Sequence, residues 1–174
     1  SKRPFFSSTQ PLNLSPIPAE KYLPFIQARF ASGKRKIQPD ALRFIGEWTR
    51  FHTYYTQVVC NRIYSTDIKL ITLEVARQEC SNLLNEQTTQ FLQYRNLLTS
   101  GQWNLLKAIA RENKVYKPTA RKFLADHPVG TPANVQRALE ALLTKEMIFK
   151  EQDQKGSYYC VYDCFLSRWL EKQW

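Results

Sequence analysis

Glycine is scarce in this chain, five residues in 174, and none stands within a dozen positions of another. A loop that cradles phosphates needs clustered glycines and a Lys-Ser or Lys-Thr pair at a helix start, so the sequence carries no nucleotide-binding loop of its own. Histidine is rarer still, His52 and His127 only, and the serines have no His and Asp partners in a nucleophile-elbow context. Four cysteines, Cys60, Cys80, Cys160 and Cys164, include one close pair, but Cys-x3-Cys without a second half is not a zinc motif. They are expected to be reduced, partly buried thiols, with no metal site. The chain therefore reads as non-catalytic. No apolar run approaches the roughly 20 residues of a membrane span. The opening Ser1 to Ser8 is too short and broken for a secretory signal, which leaves the cytoplasm as the expected compartment and no membrane partner. A start on Ser rather than Met suggests a fragment with a region upstream.

What is present is an ordinary globular composition, 43% hydrophobic and 13% aromatic, with a net charge of +10. The basic excess is uneven. Residues 1 to 65 hold ten Lys/Arg against three Asp/Glu, residues 66 to 100 three against four, and residues 101 to 174 twelve against eight. A polyanion partner fits, whether nucleotide, DNA or an acidic protein surface.

Three segments follow from the pattern. Residues 1–17 carry three prolines and no periodic apolar face, so they read as an extended arm that needs a surface to lie against. Residues 18–98 read as an all-helical bundle. Its first helix opens at Pro18-Ala19-Glu20 and ends at Gly33, followed by a basic loop, Lys34-Arg35-Lys36. A second helix starts at Pro39-Asp40, a third covers Thr53 to Tyr64, and the pattern stays helical from Asp67 to about Leu98 with a break near Asn85-Glu86. Thr99-Ser100-Gly101 is a short joint, so the two halves are expected to pack together.

Residues 101–174 give the clearest pattern. Helical runs at Gln102 to Arg111 and Pro118 to Ala125 precede Thr131-Pro132, where Thr is a natural N-cap and Pro suits the first helical position. Val135, Leu139, Leu142 and Leu143 then share one face, leaving Gln136, Arg137 and Glu140 outward or flanking. Met147 to Glu151 and Ser157 to Tyr162 are strand-formers around an Asp/Gly-containing turn, and Asp163 can cap a last helix with Phe165, Leu166, Trp169 and Leu170. The fold class is thus mainly α: a helical bundle, then a winged helix-turn-helix with a small β-hairpin wing. If the winged helix binds double-stranded DNA, Asn134, Gln136 and Arg137 are candidates for base edges, and Lys117, Arg121, Lys122 and Lys155 for phosphates. The alternative is that these form a solvated polar face, a reading that Glu140 favours because a carboxylate is repelled by DNA. The winged helix would then be an intramolecular or protein-interaction module, as its many tyrosines also suggest. A free-standing transcriptional regulator is a third reading, which leaves the arm unexplained.

Five stretches in order carry a resemblance: Arg3-Pro4-Phe5-Phe6, Ile17-Pro18-x-x-Lys21-Tyr22-x-x-Phe25-Ile26, His52-Thr53-Tyr54-Tyr55-x-Gln57-x-x-Cys60-Asn61, Ala133-Asn134-Val135-Gln136-Arg137-Ala138-Leu139 and Val161-Tyr162-Asp163-x-Phe165-x-x-Arg168-Trp169-Leu170. Together they resemble the C-terminal half of the bacterial and archaeal STAND-like P-loop ATPases of the AAA superfamily. The resemblance implies an upstream P-loop ATPase domain holding ATP and Mg, with no cofactor bound by this stretch alone. Residues 1–17 would be that domain's exit segment, 18–98 its helical lid, and 101–174 its winged helix. It implies His52 as the nucleotide-facing residue of the lid. Here Phe51-His52-Thr53 replaces the Gly-His-Pro of such corners, and His52 also fits a helix-start residue packed on Phe51.

Overall fold

The computed structural model describes residues 17–172, and the arm expected before Ile17 lies outside them. Helix α1, Ala19–Ser32, enters through Pro18 at φ −55°, and its Tyr22, Ile26 and Phe30 recur every four residues on the buried side. Pro24 sits in the second turn without breaking the helix. The expected basic loop then proves partly ordered: β1, Lys36–Ile37, pairs in parallel with β2, Leu70–Ile71, and buries Ile37 and Ile71. The expectation that the helical pattern starts at Asp67 is corrected at this point. Strand β2 comes first, and Thr72 caps α4, Leu73–Glu86, by accepting from the Val75 amide. A two-residue strand shows no alternation to read, so pairing across more than thirty residues is invisible locally.

Helices α2, Pro39–Trp48, and α3, Thr53–Tyr64, occupy their expected places. The corner between them is unusual, since Arg50 and Phe51 both take left-handed backbone, φ 55° and 54°, without being glycine. Gly46 makes room for it: a Cβ there would stand 2.5 Å from the Phe51 ring. The break after Glu86 is at Gln87, and α5 runs Thr88–Asn96.

Helix α6, Ser100–Glu112, starts on a capping box in which the Thr99 hydroxyl accepts from the Gln102 amide and the Gln102 side chain accepts from the Thr99 amide. Helix α7 is shorter than expected, Arg121–Asp126, with buried Pro118 in the chain that leads into it. Gly130, at φ 90°, turns the chain into α8, Pro132–Thr144. The wing is β3, Ile148–Asp153, antiparallel to β4, Gly156–Val161, closed by the two-residue turn Gln154-Lys155 with Gly156 at φ 123°. A bridge between Val115 and Tyr159 adds a third edge to the hairpin. Asp163 caps α9, Cys164–Leu170, through the Leu166 amide.

One continuous core runs through both halves, from Ile26 and Ile45 to Leu105, Leu139 and Leu170. Helix α9 packs on both halves. Phe165 meets Trp48 and Tyr55 at 5.7 and 4.8 Å between ring centroids, while Trp169 meets Phe91 and Trp103 at 5.5 and 6.3 Å. Two arginines cross this joint in opposite directions. Arg50 donates to the Val161 carbonyl and the Ser167 hydroxyl at 2.9 and 2.7 Å, and Arg168 donates to the Trp48 and Glu47 carbonyls at 2.8 and 3.2 Å.

Candidate nucleic-acid interface

Burial of Val135, Leu139 and Leu142 sets the rotation of α8, and Thr131, accepting from the Asn134 amide at 3.3 Å, sets its start. Asn134, Gln136, Arg137 and Glu140 are exposed as a result. The structure brings Asn134 and Arg137 together, since the guanidinium donates to the Asn134 side-chain oxygen at 2.9 Å. Gln136 instead donates to Glu140 at 3.2 Å, so this carboxylate is engaged on its own helix.

Lys117 is exposed in the chain before α7, Arg121 and Lys122 are exposed in its first turn, and Lys155 is exposed at the wing tip. None of the four enters an ion pair among the described residues. Four further residues belong with them that sequence reasoning missed: Tyr116, Lys150, Ser157 and Tyr159. With Lys117 and Gln136 they line a cleft of about 410 Å³ between the segment 116–120, the wing and the Gln136 side of α8. Lys150 stands opposite Tyr159 in the hairpin register, its ammonium 5.7 Å from the ring centre. The strand alternation was available as a signal, because Tyr158 and Cys160 are buried whereas Ser157 and Tyr159 lie on the other face.

The wing is tied to the body by one carboxylate. Asp153 accepts from the Tyr116 hydroxyl at 2.7 Å and the Lys114 ammonium at 3.0 Å, and its other oxygen accepts from the Lys155 amide at 2.9 Å. The hydrogen bond from Tyr116, then that from Lys114, holds its pKa down at about 2. The same bond raises the pKa of Tyr116. Tyr158 donates to Glu151 at 2.7 Å, and its hydroxyl is raised first by burial and then by that carboxylate.

His52 is far from these groups in sequence and stands on the bundle. It is the exposed N-cap of α3, makes no side-chain capping bond, and sets its ring 4.9 Å from that of Tyr55. The cysteines are free thiols, with Cys80, Cys160 and Cys164 buried. Burial pushes Cys60 and Cys80 up to about 12 and Cys164 to about 11, which leaves them protonated and poor nucleophiles at neutral pH.

No described helix is long and apolar enough to cross a membrane. Residues 89–172 match the model of a family described as a probable winged helix domain, in agreement with the order α6, α7, α8, hairpin, α9. No curated protein and no solved structure matches the chain.

Proposed function

We propose that this chain is a binding module whose winged helix takes nucleic acid, with double-stranded DNA as the occupant of the exposed face of α8. One observation carries the reading: Lys117 before α7, Arg121 and Lys122 on α7, and Lys150 and Lys155 on the wing are exposed and enter no ion pair among the described residues. Cations left unpaired around a helix that can enter a major groove are what phosphate contacts need. Asn134, Gln136 and Arg137 are the candidates for base edges, and giving up the Arg137–Asn134 and Gln136–Glu140 bonds is compensated by bonds to the bases. The test is fluorescence anisotropy with a labelled random duplex at low and moderate salt. Affinity is expected to fall with salt, and Lys117→Glu or Lys122→Glu should each reduce the slope by about 1. Arg137→Glu should weaken binding at either salt. Duplex binding absent at low salt rejects the reading.

A protein partner at this face is the second reading. It is less favoured because the α9 rings of Phe165 and Trp169 are already buried against the bundle.

The finer part of the proposal rests on the ATPase resemblance alone: ATP and Mg would sit in an upstream P-loop domain, and this stretch would offer it His52. The corner that carries His52 also carries Arg50, whose side chain reaches the winged helix, so a shift at one would be felt at the other. In a protein containing that domain, ATP should change DNA affinity, and His52→Ala should remove the change. Equal affinity with and without ATP would reject the coupling.

A further inference from the structure

We infer that the cleft lined by residues 116–120, Gln136 and the wing binds an unpaired stretch of a nucleic-acid strand, at a seat that overlaps the duplex face at Lys117, Gln136 and Lys150 and adds Tyr116 and Tyr159 to it. The inference rests on the reading of the winged helix as a nucleic-acid module and goes beyond it in naming this seat and its ligand class.

The cleft combines the two things a single strand needs. Lys117 and Lys150 are exposed cations, and they line the same space of about 410 Å³ as Tyr116 and Tyr159. Tyr116 is held in place by its hydroxyl bond to Asp153, and Tyr159 by the backbone bridge to Val115. Bases in a duplex are paired and stacked, so they cannot offer a ring face to a tyrosine in a cleft. An unpaired base can, and such stacking tolerates any sequence. Gln136 and Ser157 add side chains that can donate to or accept from a base or sugar edge.

Of the nearby carboxylates, Asp153 is charge-paired with Lys114, whereas Glu151 and Glu140 accept from neutral donors, keep their charge and leave Lys117 and Lys150 to supply the attraction. Asp153 is held by Tyr116 and Lys114, Glu151 by Tyr158, and Glu140 by Gln136. The cleft also differs in character from the outer face of α8, where Arg137 is the one cation among Asn134, Gln136, Arg137 and Glu140 and has no aromatic beside it in that set.

The experiment uses the whole 174-residue chain and fluorescein-labelled 12-mers of single-stranded DNA, single-stranded RNA and duplex DNA, with anisotropy measured across a salt series. At least one single strand should bind, and comparison of the DNA and RNA arms identifies the sugar preferred. Tyr159→Leu keeps the apolar bulk and removes the stacking ring, and it should weaken the single strand roughly fivefold or more with an unchanged salt slope. The exposed pair Lys117→Glu with Lys150→Glu carries no folding risk from buried groups, and should lower the single-strand slope by about 1.4. Arg137→Glu should leave single-strand affinity unchanged while weakening the duplex. Single-strand binding that responds to Arg137→Glu and ignores both cleft variants overturns the inference. Duplex binding with no single-strand binding overturns it while sparing the proposed function, and absence of binding to every probe overturns both.

Discussion

Asp153 shows how one side chain can fix the position of a wing. Its carboxylate collects three donors, from Tyr116, Lys114 and the Lys155 amide, and so joins the hairpin tip to the segment that follows α6. The ordinary value for this group is 3.8, and the donors hold it at about 2, with Tyr116 the largest cause. The sign follows from the depression. The folded state releases the proton more readily than the unfolded chain, so the contribution is complete above the unfolded value and is lost as pH falls from about 4 toward 2. A carboxyl carbon titration by NMR should place the Asp153 midpoint near 2, and Tyr116→Phe should move it upward. A wild-type midpoint at the ordinary value would mean that the Tyr116 and Lys114 bonds do not persist in solution. Since Tyr116 and Lys117 are neighbours lining the cleft, the same titration reports whether its aromatic wall is held in position.

At the scale of elements, the signals that could be read were those with a local cause. Thr131-Pro132 marked the start of α8 because cap and first-turn proline act on adjacent residues, and Asp163 marked α9 for the same reason. The hairpin announced itself by strand-formers around Asp153 and Gly156, although the turn proved to be only two residues long. The α6 capping box is equally visible in Thr99-Ser100-Gly101-Gln102, a stretch whose composition also fits a joint; the spacing of Thr and Gln is the signature. Two features had no local signal. The pairing of β1 with β2 depends on residues more than thirty positions apart, and the left-handed Arg50 and Phe51 carry no glycine to betray them. That backbone costs on the order of 1 to 2 kcal/mol per residue, and it is sustained by contacts from elsewhere: Gly46 admits the Phe51 ring, and β4 and α9 accept from Arg50. The site divides the same way. The α8 residues and the flanking lysines were legible from helical spacing and charge, whereas the cleft required knowing that Tyr159 faces the segment carrying Tyr116 and Lys117.

The molecule as a whole is held by an exchange across one joint. Arg50 reaches from the bundle into the winged helix, Arg168 reaches back to the end of α2, and Trp169 fills the space between α5 and α6 with its indole donating to the Thr88 hydroxyl at 3.1 Å. Trp169 is 6% exposed, and Phe91 beside it is 1% exposed, so this contact is core rather than surface. Two halves that share a core in this way should unfold together. Urea denaturation followed by far-ultraviolet circular dichroism and by tryptophan fluorescence is expected to give coincident transitions for the wild-type chain. Trp169→Ala removes the ring that touches both halves and leaves Thr88 without its donor, for a cost of about 3 to 5 kcal/mol. Because the lost contacts lie at the joint, the variant should do more than shift the midpoint: the two probes should separate as the bundle and the winged helix unfold independently. A control at Leu139, buried within the winged helix itself, should destabilise by a comparable amount. Separate transitions already present in the wild type would show that the shared core does not couple the halves. A Trp169→Ala variant that loses less than about 1 kcal/mol, well below the range for a buried ring, would show that the joint is held by the two arginines instead.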